Sequence, residues 1–244
     1  MKAHPISLDA LVADLVTRID RLDTAGAAGE AGSAVGAGAP VGAGAAAGVG
    51  SHGGVGSAGA LRPRVAVDGP PTAGGAEIGE RLVSAVRQRG GWALHVPADG
   101  FLKANSLRYE RGKTNPDAFY EDWLDLAALT REVLAPAGPG GTGRVLPSLR
   151  DPATDRATRA AYVDVPDGGV VVVTGTLLLG AGLDFDVTVH LIQSDAALAR
   201  RTPPERQWTL PAYARYRDEV MPQYQADLVV RADDPRHPAL VLDA

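Results

Sequence analysis

The run Arg64-Val65-Ala66-Val67-Asp68, followed by Gly69-Pro70-Pro71-Thr72-Ala73-Gly74-Gly75-Ala76 and then by residues 77–88, constrains this chain more than any other stretch. The first five residues have the apolar, β-branched texture of a strand. Prolines and glycines end it at once, because proline donates no ladder hydrogen bond and glycine accepts turn conformations that other residues avoid. Residues 77–88 read as a helix. A strand, a tight glycine-rich turn and a helix together open a crossover unit, so the sequence predicts an α/β domain with a mostly parallel sheet.

The rest of the chain keeps that alternation. Residues 92–96 read as a second strand, and residues 117–134 as a helix after the start signal Asn115-Pro116. Residues 169–174, with four consecutive valines, have the texture of a central strand buried on both faces, and residues 185–192 read as another. Residues 195–201 and 211–225 suggest helices, and residues 227–231 a last short strand.

Ahead of this domain, Ser7 is placed to cap an amphipathic helix over residues 8–19, so residues 1–23 are expected to form an N-terminal helix. Residues 24–60 are almost entirely Gly, Ala, Ser and Val, too poor in large side chains to offset the entropy of ordering a backbone, and are expected to be a disordered, flexible linker. Gly48-Val49-Gly50-Ser51-His52-Gly53 satisfies the dinucleotide pattern G-x-G-x-x-G, yet low-complexity sequence on both sides denies it the strand and helix that give the pattern meaning. Residues 61–244 are expected to form the α/β domain.

At 244 residues and 45% hydrophobic content, the chain has enough apolar material for one such domain. The net charge of −5 speaks against nucleic-acid binding, which usually needs a basic stripe. The absence of cysteine excludes disulfides, thiolate catalysis and cysteine zinc sites. The opening residues have no signal-peptide core, and the longest apolar stretch, residues 168–182, is too short and glycine-broken to span a bilayer, so a soluble cytoplasmic protein is expected. The five histidines lack metal-binding spacing, and no G-x-S-x-G elbow occurs. No metal ligands are expected. Asp122 and Asp125 fall on one face of the helix expected over residues 117–134.

The turn after the first strand sits where a G-x-x-x-x-G-K-[ST] loop would sit, with backbone N–H groups of Gly69, Thr72, Ala73, Gly74, Gly75 and Ala76 able to close around phosphate oxygens. Its chemistry is incomplete. Gly75 stands where lysine neutralises the β- and γ-phosphates, and Ala76 where a hydroxyl ligates magnesium. An ordinary Gly/Pro turn has the same composition.

Several downstream motifs accompany that loop. They are Asp99-Gly100-Phe101 after the second strand, Tyr109-Glu110-Arg111-Gly112, and Pro116-Asp117-Ala118-Phe119-Tyr120 with Asp122 and Asp125 beyond it. Gly138-Pro139-Gly140-Gly141 and Thr154-Asp155 follow, then the valine strand into Gly175, Asp195 with Leu198-Ala199-Arg200-Arg201, and finally Tyr213, Tyr216, Pro222, Tyr224 and Ala226-Asp227. In order and spacing, the chain from Arg64 onward resembles the uridine kinase and phosphoribulokinase family, especially its bacterial uridine-kinase-like branch.

The resemblance implies a P-loop NTPase-like three-layer fold with a mostly parallel five-stranded sheet, a nucleoside pocket, a mobile lid, and transfer of the γ-phosphoryl of ATP, with Mg2+, to a sugar hydroxyl. It places Asp99 as the carboxylate that accepts the hydroxyl proton, a position at the end of a strand where ligands commonly bind; an Asp-Gly turn gives the same dipeptide. Tyr109 and Phe119 become pocket walls or core, and Arg111 a phosphate or ribose donor or a solvated loop residue. Arg200, Arg201 and Arg206 become phosphate clamps or a solvated helix end.

The sequence departs from that family where the triphosphate is handled. Besides Gly75 and Ala76, Thr174 replaces an acidic residue at the end of the valine strand, and Thr114 or Asn115 replaces one that would hold a ribose hydroxyl. The lid reads Thr202-Pro203-Pro204-Glu205-Arg206. Lys103, four residues after Asp99, is the lysine nearest the expected crevice. Three functions follow: a P-loop protein that binds a nucleoside, nucleotide or phosphate with transfer impaired or lost; an active nucleoside kinase with a substitute cation; or a scaffold whose N-terminal helix and linker engage a protein partner.

Overall fold

A computed structural model describes residues 2–31 and 61–242. In chain order its strands are β1 (Ala3–Pro5), β2 (Arg64–Asp68), β3 (Ala93–Pro97), β4 (Arg144–Val145), β5 (Val163–Asp164), β6 (Val170–Gly175), β7 (Val187–Ile192), β8 (Leu228–Arg231) and β9 (Ala239–Val241). The α-helices are α1 (Leu8–Ala31), α2 (Gly75–Gln88), α3 (Asn105–Arg108), α4 (Pro116–Asp122), α5 (Leu126–Leu129), α6 (Ala135–Ala137), α7 (Asp195–Arg201) and α8 (Leu210–Glu219).

The main sheet runs β1-β9-β8-β7-β2-β6-β3. Its five central strands, β8 to β3, are all parallel, as expected. Two antiparallel strands, β9 and β1, extend it beyond the five that were expected. The valines explain why the middle is parallel: Val171 and Val173 of β6 face one core and Val170 and Val172 the other, all at 2% exposure or less. A strand buried on both faces needs helices on both sides, and crossover connections supply them. The result is three layers, with α1 and α2 on one face and the remaining helices on the other.

The N-terminal helix belongs to this core. Leu11 and Leu15 of α1 are fully buried and Ile19 nearly so, packed with Val65, Val67 and Leu82. Burial of each such side chain contributes about 1.5–3 kcal/mol. Arg81 and Arg89 add ion pairs to Asp9 at 3.2 Å and Asp20 at 2.8 Å. The apolar stripe of the expected N-terminal unit is therefore covered by the chain's own domain. The helix also continues past Thr24 to Ala31; residues 32–60 of the expected linker, including the G-x-G-x-x-G stretch, lie outside the described residues.

One helix expected as continuous is broken. Within residues 117–134, α4 stops at Asp122, Leu124 bridges Leu102, and Asp125 starts α5 by accepting a hydrogen bond from the Ala128 N–H at 2.9 Å. A single turn of π-helix, Thr130–Leu134, follows α5. Asp125 thus caps a new helix instead of sharing a helical face with Asp122. No helix among the described residues is long and apolar enough to cross a membrane.

Candidate functional site: the loop after the central strand and its cavities

The parallel strands end together around the loop that follows β2, the end of an open α/β sheet where ligands usually bind. Glycine is required at the first loop position. The Gly69 N–H donates to the Gly175 carbonyl at 3.0 Å, and a Cβ added to Gly69 would lie 2.8 Å from Leu191 Cβ and 2.9 Å from its carbonyl oxygen. After one 3-10 turn over Pro71–Ala73, Gly74 adopts φ 84° and caps α2 without a side-chain hydrogen bond. The first N–H groups of a helix have no intrahelical acceptor, so the amino end of α2 offers donors and a positive dipole end at the loop.

The loop's own side chains, residues 69–76, bring no positive charge. A Cβ at Gly75 would make only ordinary contacts, 3.5 Å from Leu191 and from Val67, so a larger residue has room at its root. Ala76 is exposed. The Thr72 hydroxyl donates to Gln193 at 2.6 Å, and Gln193 donates to the Ala232 carbonyl at 2.8 Å, which ties the loop to the end of β7 and occupies the hydroxyl.

Thr174 stands on β6 beside the loop, only 5% exposed, with its hydroxyl 2.9 Å from His95 Nε2. Burial pushes the His95 imidazole below its ordinary pKa, against an opposing pull from Glu80. Among the described residues there is no group of three His, Cys, Asp or Glu that would hold a metal. The side chains at 75, 76 and 174 do not fit magnesium.

Asp99 lies on a short 3-10 turn, Ala98–Phe101, directly after β3, and opens into a cavity of about 420 Å3. Surrounding protein pushes its carboxyl above the ordinary range, opposed by the charges of Arg206 and Arg108. Tyr109 and Phe119, for which the sequence left pocket wall and core both open, line the same cavity and are packed edge-on to Trp123, at 5.8 and 5.2 Å between ring centroids. Arg206 sits 5.6–6.0 Å from the ring centres of Phe119, Trp123 and Trp208. Together with Pro71 it also lines a second cavity of about 260 Å3 against Pro70, Thr72 and Arg201, so one guanidinium borders both the loop and the Asp99 cavity.

Other candidate residues lie elsewhere. Arg111 pairs with Glu121 at 3.0 Å and with Asp122, outside the cavity. Asn115 caps α4 by accepting from the Ala118 N–H and donates to the Arg111 carbonyl. Arg201 donates to the Asp233 carbonyl at 2.9 Å and approaches Asp234 at 3.3 Å, beside the loop, whereas Arg200 is exposed and lines neither cavity. The Lys103 ammonium lies 3.8 Å from Asp122 and likewise lines neither.

Sequence reasoning missed two groups. Arg108 and Trp123 form the cavity wall at 4% exposure each, with the guanidinium 4.8 Å from the indole centre. Behind the loop, the wholly buried Asp68 carboxylate accepts from the Leu178 N–H at 2.9 Å and from the Tyr216 hydroxyl at 2.9 Å, and lies 2.7 Å from His190 Nδ1. Its position directly after the apolar run Val65-Ala66-Val67 was the available signal.

The fold has counterparts among solved structures. Over 88% of this chain and 98% of the other, the fold matches that of a protein described as a possible uridine kinase from Bacillus stearothermophilus, with a TM-score of 0.57 and 19% identity. That likeness establishes the fold, a three-layer α/β architecture with a mostly parallel sheet. A protein described as a candidate fructose transport system kinase from Silicibacter sp. TM1040 is 27% identical over 68% of this chain and 84% of its own, but its TM-score of 0.46 is too low to bear on the site. No family model matches the sequence, and no curated protein matches it.

Proposed function

We propose that this protein binds a nucleotide or phosphate at the loop spanning Gly69 to Ala76 and a small hydroxylated molecule in the adjoining cavity, with phosphoryl transfer between them impaired or lost. The observation that carries this is the shared wall of Pro71 and Arg206, which sets the loop and the Asp99 cavity side by side. A carboxylate held above its ordinary pKa suits acceptance of a hydroxyl proton, and an arginine between the two sites suits a migrating phosphoryl group.

What the site lacks lies on the donor side. Removal of one preorganised charged donor typically costs roughly 10² to 10³ in rate, and Gly75 and Ala76 leave out both the lysine and the metal-binding hydroxyl. Lys103, held toward Asp122, offers no replacement at the loop. Among the described residues of the N-terminal helix, the apolar stripe Leu11, Val12, Leu15, Val16 and Ile19 is already packed against the domain.

Calorimetric titration with ATP, with and without magnesium, followed by a transfer assay with uridine and cytidine, tests the proposal. Binding that is weak and indifferent to magnesium, with transfer slow or undetectable, supports it. Turnover at ordinary kinase rates refutes the impairment, and no nucleotide or phosphate binding refutes the site.

A further inference from the structure

A third cavity, of about 360 Å3, is lined by residues of β7, β8, α7 and α8 at the end of the sheet where the loop lies. It shares Pro70 and Tyr213 with the small cavity beside the loop and no residue with the Asp99 cavity. Its volume falls within the range of small-molecule sites.

One end of it presents a fixed acceptor. His190 keeps only 7% of its surface and lines this cavity, while its Nδ1 lies 2.7 Å from Asp68 Oδ2. Asp68 also accepts from the Tyr216 hydroxyl and the Leu178 N–H, so the carboxylate is an acceptor and the imidazole hydrogen sits on Nδ1. The neutral ring then turns a lone pair outward on Nε2. Nε2 has no hydrogen-bond partner among the described residues, yet it is not sealed from solvent as Arg108 Nε and Trp123 Nε1 are. A hydroxyl or N–H of whatever occupies the cavity is the matching group.

A cation stands at a set distance from it. Asp195 is paired with Arg217, whereas the side chain of Arg231 has no ion pair or hydrogen bond among the described residues. His190 lies opposite Val229, and Arg231 is two residues further along β8 on the same face, so roughly 6–7 Å of strand separates the two anchors. The remaining wall is largely apolar, with the rings of Tyr213 and Tyr216 beside Leu198 and Pro222.

We propose that this cavity is a second small-molecule site, for an organic anion built on an apolar ring, whose hydroxyl or N–H donates to His190 Nε2 and whose carboxylate meets Arg231. Asp68 is a positioning residue here, since its hydrogen bond fixes the imidazole and its tautomer. The site goes beyond the function proposed above and requires neither the phosphate loop nor the Asp99 cavity to be filled.

The test is calorimetric binding of 4-hydroxybenzoate, 4-fluorobenzoate and phenol, without any nucleotide, to the full chain and to its His190→Asn and Arg231→Gln variants. 4-Hydroxybenzoate can meet both anchors; 4-fluorobenzoate has a similar size and no hydrogen to donate, and phenol lacks the carboxylate. 4-Hydroxybenzoate is expected to bind roughly tenfold more tightly than either. His190→Asn, whose amide can still donate to Asp68, should erase the advantage over 4-fluorobenzoate, and Arg231→Gln the advantage over phenol. Thermal unfolding of each variant shows whether it is folded, and Arg231, exposed at the end of β8, keeps the test open if His190→Asn is not. Either control probe binding as tightly as 4-hydroxybenzoate, folded variants that leave the preferences unmoved, or no probe binding at all overturns the proposal. Because nucleotide is absent, failure of the phosphate loop to bind ATP leaves this readout intact.

Discussion

His190 Nδ1 lies 2.7 Å from Asp68 Oδ2 at a point where the carboxylate has no exposure to solvent, one residue before the loop begins. Tyr216 and the Leu178 N–H complete its set of partners. Both burial and the neighbouring carboxylate push the Tyr216 hydroxyl to a higher pKa, so at neutral pH it stays protonated and donates.

Removal of Asp68 leaves these donors buried and unmatched. Asp68→Ala is expected to destabilise the fold by about 3–5 kcal/mol, and Tyr216→Phe by about 1–2 kcal/mol. Urea unfolding of the two variants measures this; an Asp68→Ala midpoint close to wild type would show that the network does not hold the loop's base.

Two glycines on α2 should respond in opposite ways. A Cβ on Gly79 would come within 2.4 Å of Thr174 Cγ2 and 3.0 Å of His95 Nε2, whereas one on Gly75 meets nothing closer than 3.5 Å. Gly79→Ala is therefore expected to cost about 1–3 kcal/mol through overpacking. Gly75→Ala should be neutral or stabilising by up to about 1 kcal/mol, since it restricts only the unfolded chain. Thermal unfolding distinguishes them, and equal effects would contradict the packing described for α2 on β6.

The sequence disclosed the five parallel strands to within a residue or two because valine runs such as residues 170–173 admit few other environments. It did not disclose β1 and β9, which are three residues each and lie at the sheet edge, where β1 is exposed and no apolar run is required. The break at Trp123 to Asp125 was hidden because helix-forming residues continue through it; the Leu102–Leu124 bridge that interrupts it is a tertiary contact. At the site, Asp99, Tyr109, Phe119 and Arg206 line one cavity. Arg111 and Asn115 do not join them, because pairing with Glu121 and capping of α4 are local bonds that motif order does not reveal. Arg108 was passed over beside Tyr109 since its burial depends on Trp123, fifteen residues on.

Asp99 should be a stability cost above acid pH. Its folded pKa is raised, so the native state favours the protonated form, and stability is lost as pH rises from the unfolded value near 3.8 through the folded one. Asp99→Asn is expected to melt higher than wild type at pH 7 and to lose that advantage in acid. A melting temperature at pH 7 lower than that of wild type would contradict the strain assigned to this carboxylate.

His95 acts in the reverse direction. Its folded pKa is depressed by burial, so the unfolded chain binds the extra proton first, and stability falls as pH drops below about 6.5. His95→Gln, which keeps a donor for Thr174, should flatten the decline in urea midpoint between roughly pH 7.5 and pH 5.5 that the reference histidine value sets. An unchanged decline would place the titration elsewhere.

We propose that residues 69–76 keep the backbone of a phosphate loop and lack two of its side chains. Calorimetry of ATP with Gly75→Lys combined with Ala76→Ser, with and without magnesium, tests it most directly. A gain in affinity of roughly tenfold to a hundredfold over wild type, about 1.4–2.7 kcal/mol, is expected, together with a magnesium dependence that wild type lacks. A folded double variant that binds ATP no better than wild type, or neither protein binding it at all, would contradict the claim.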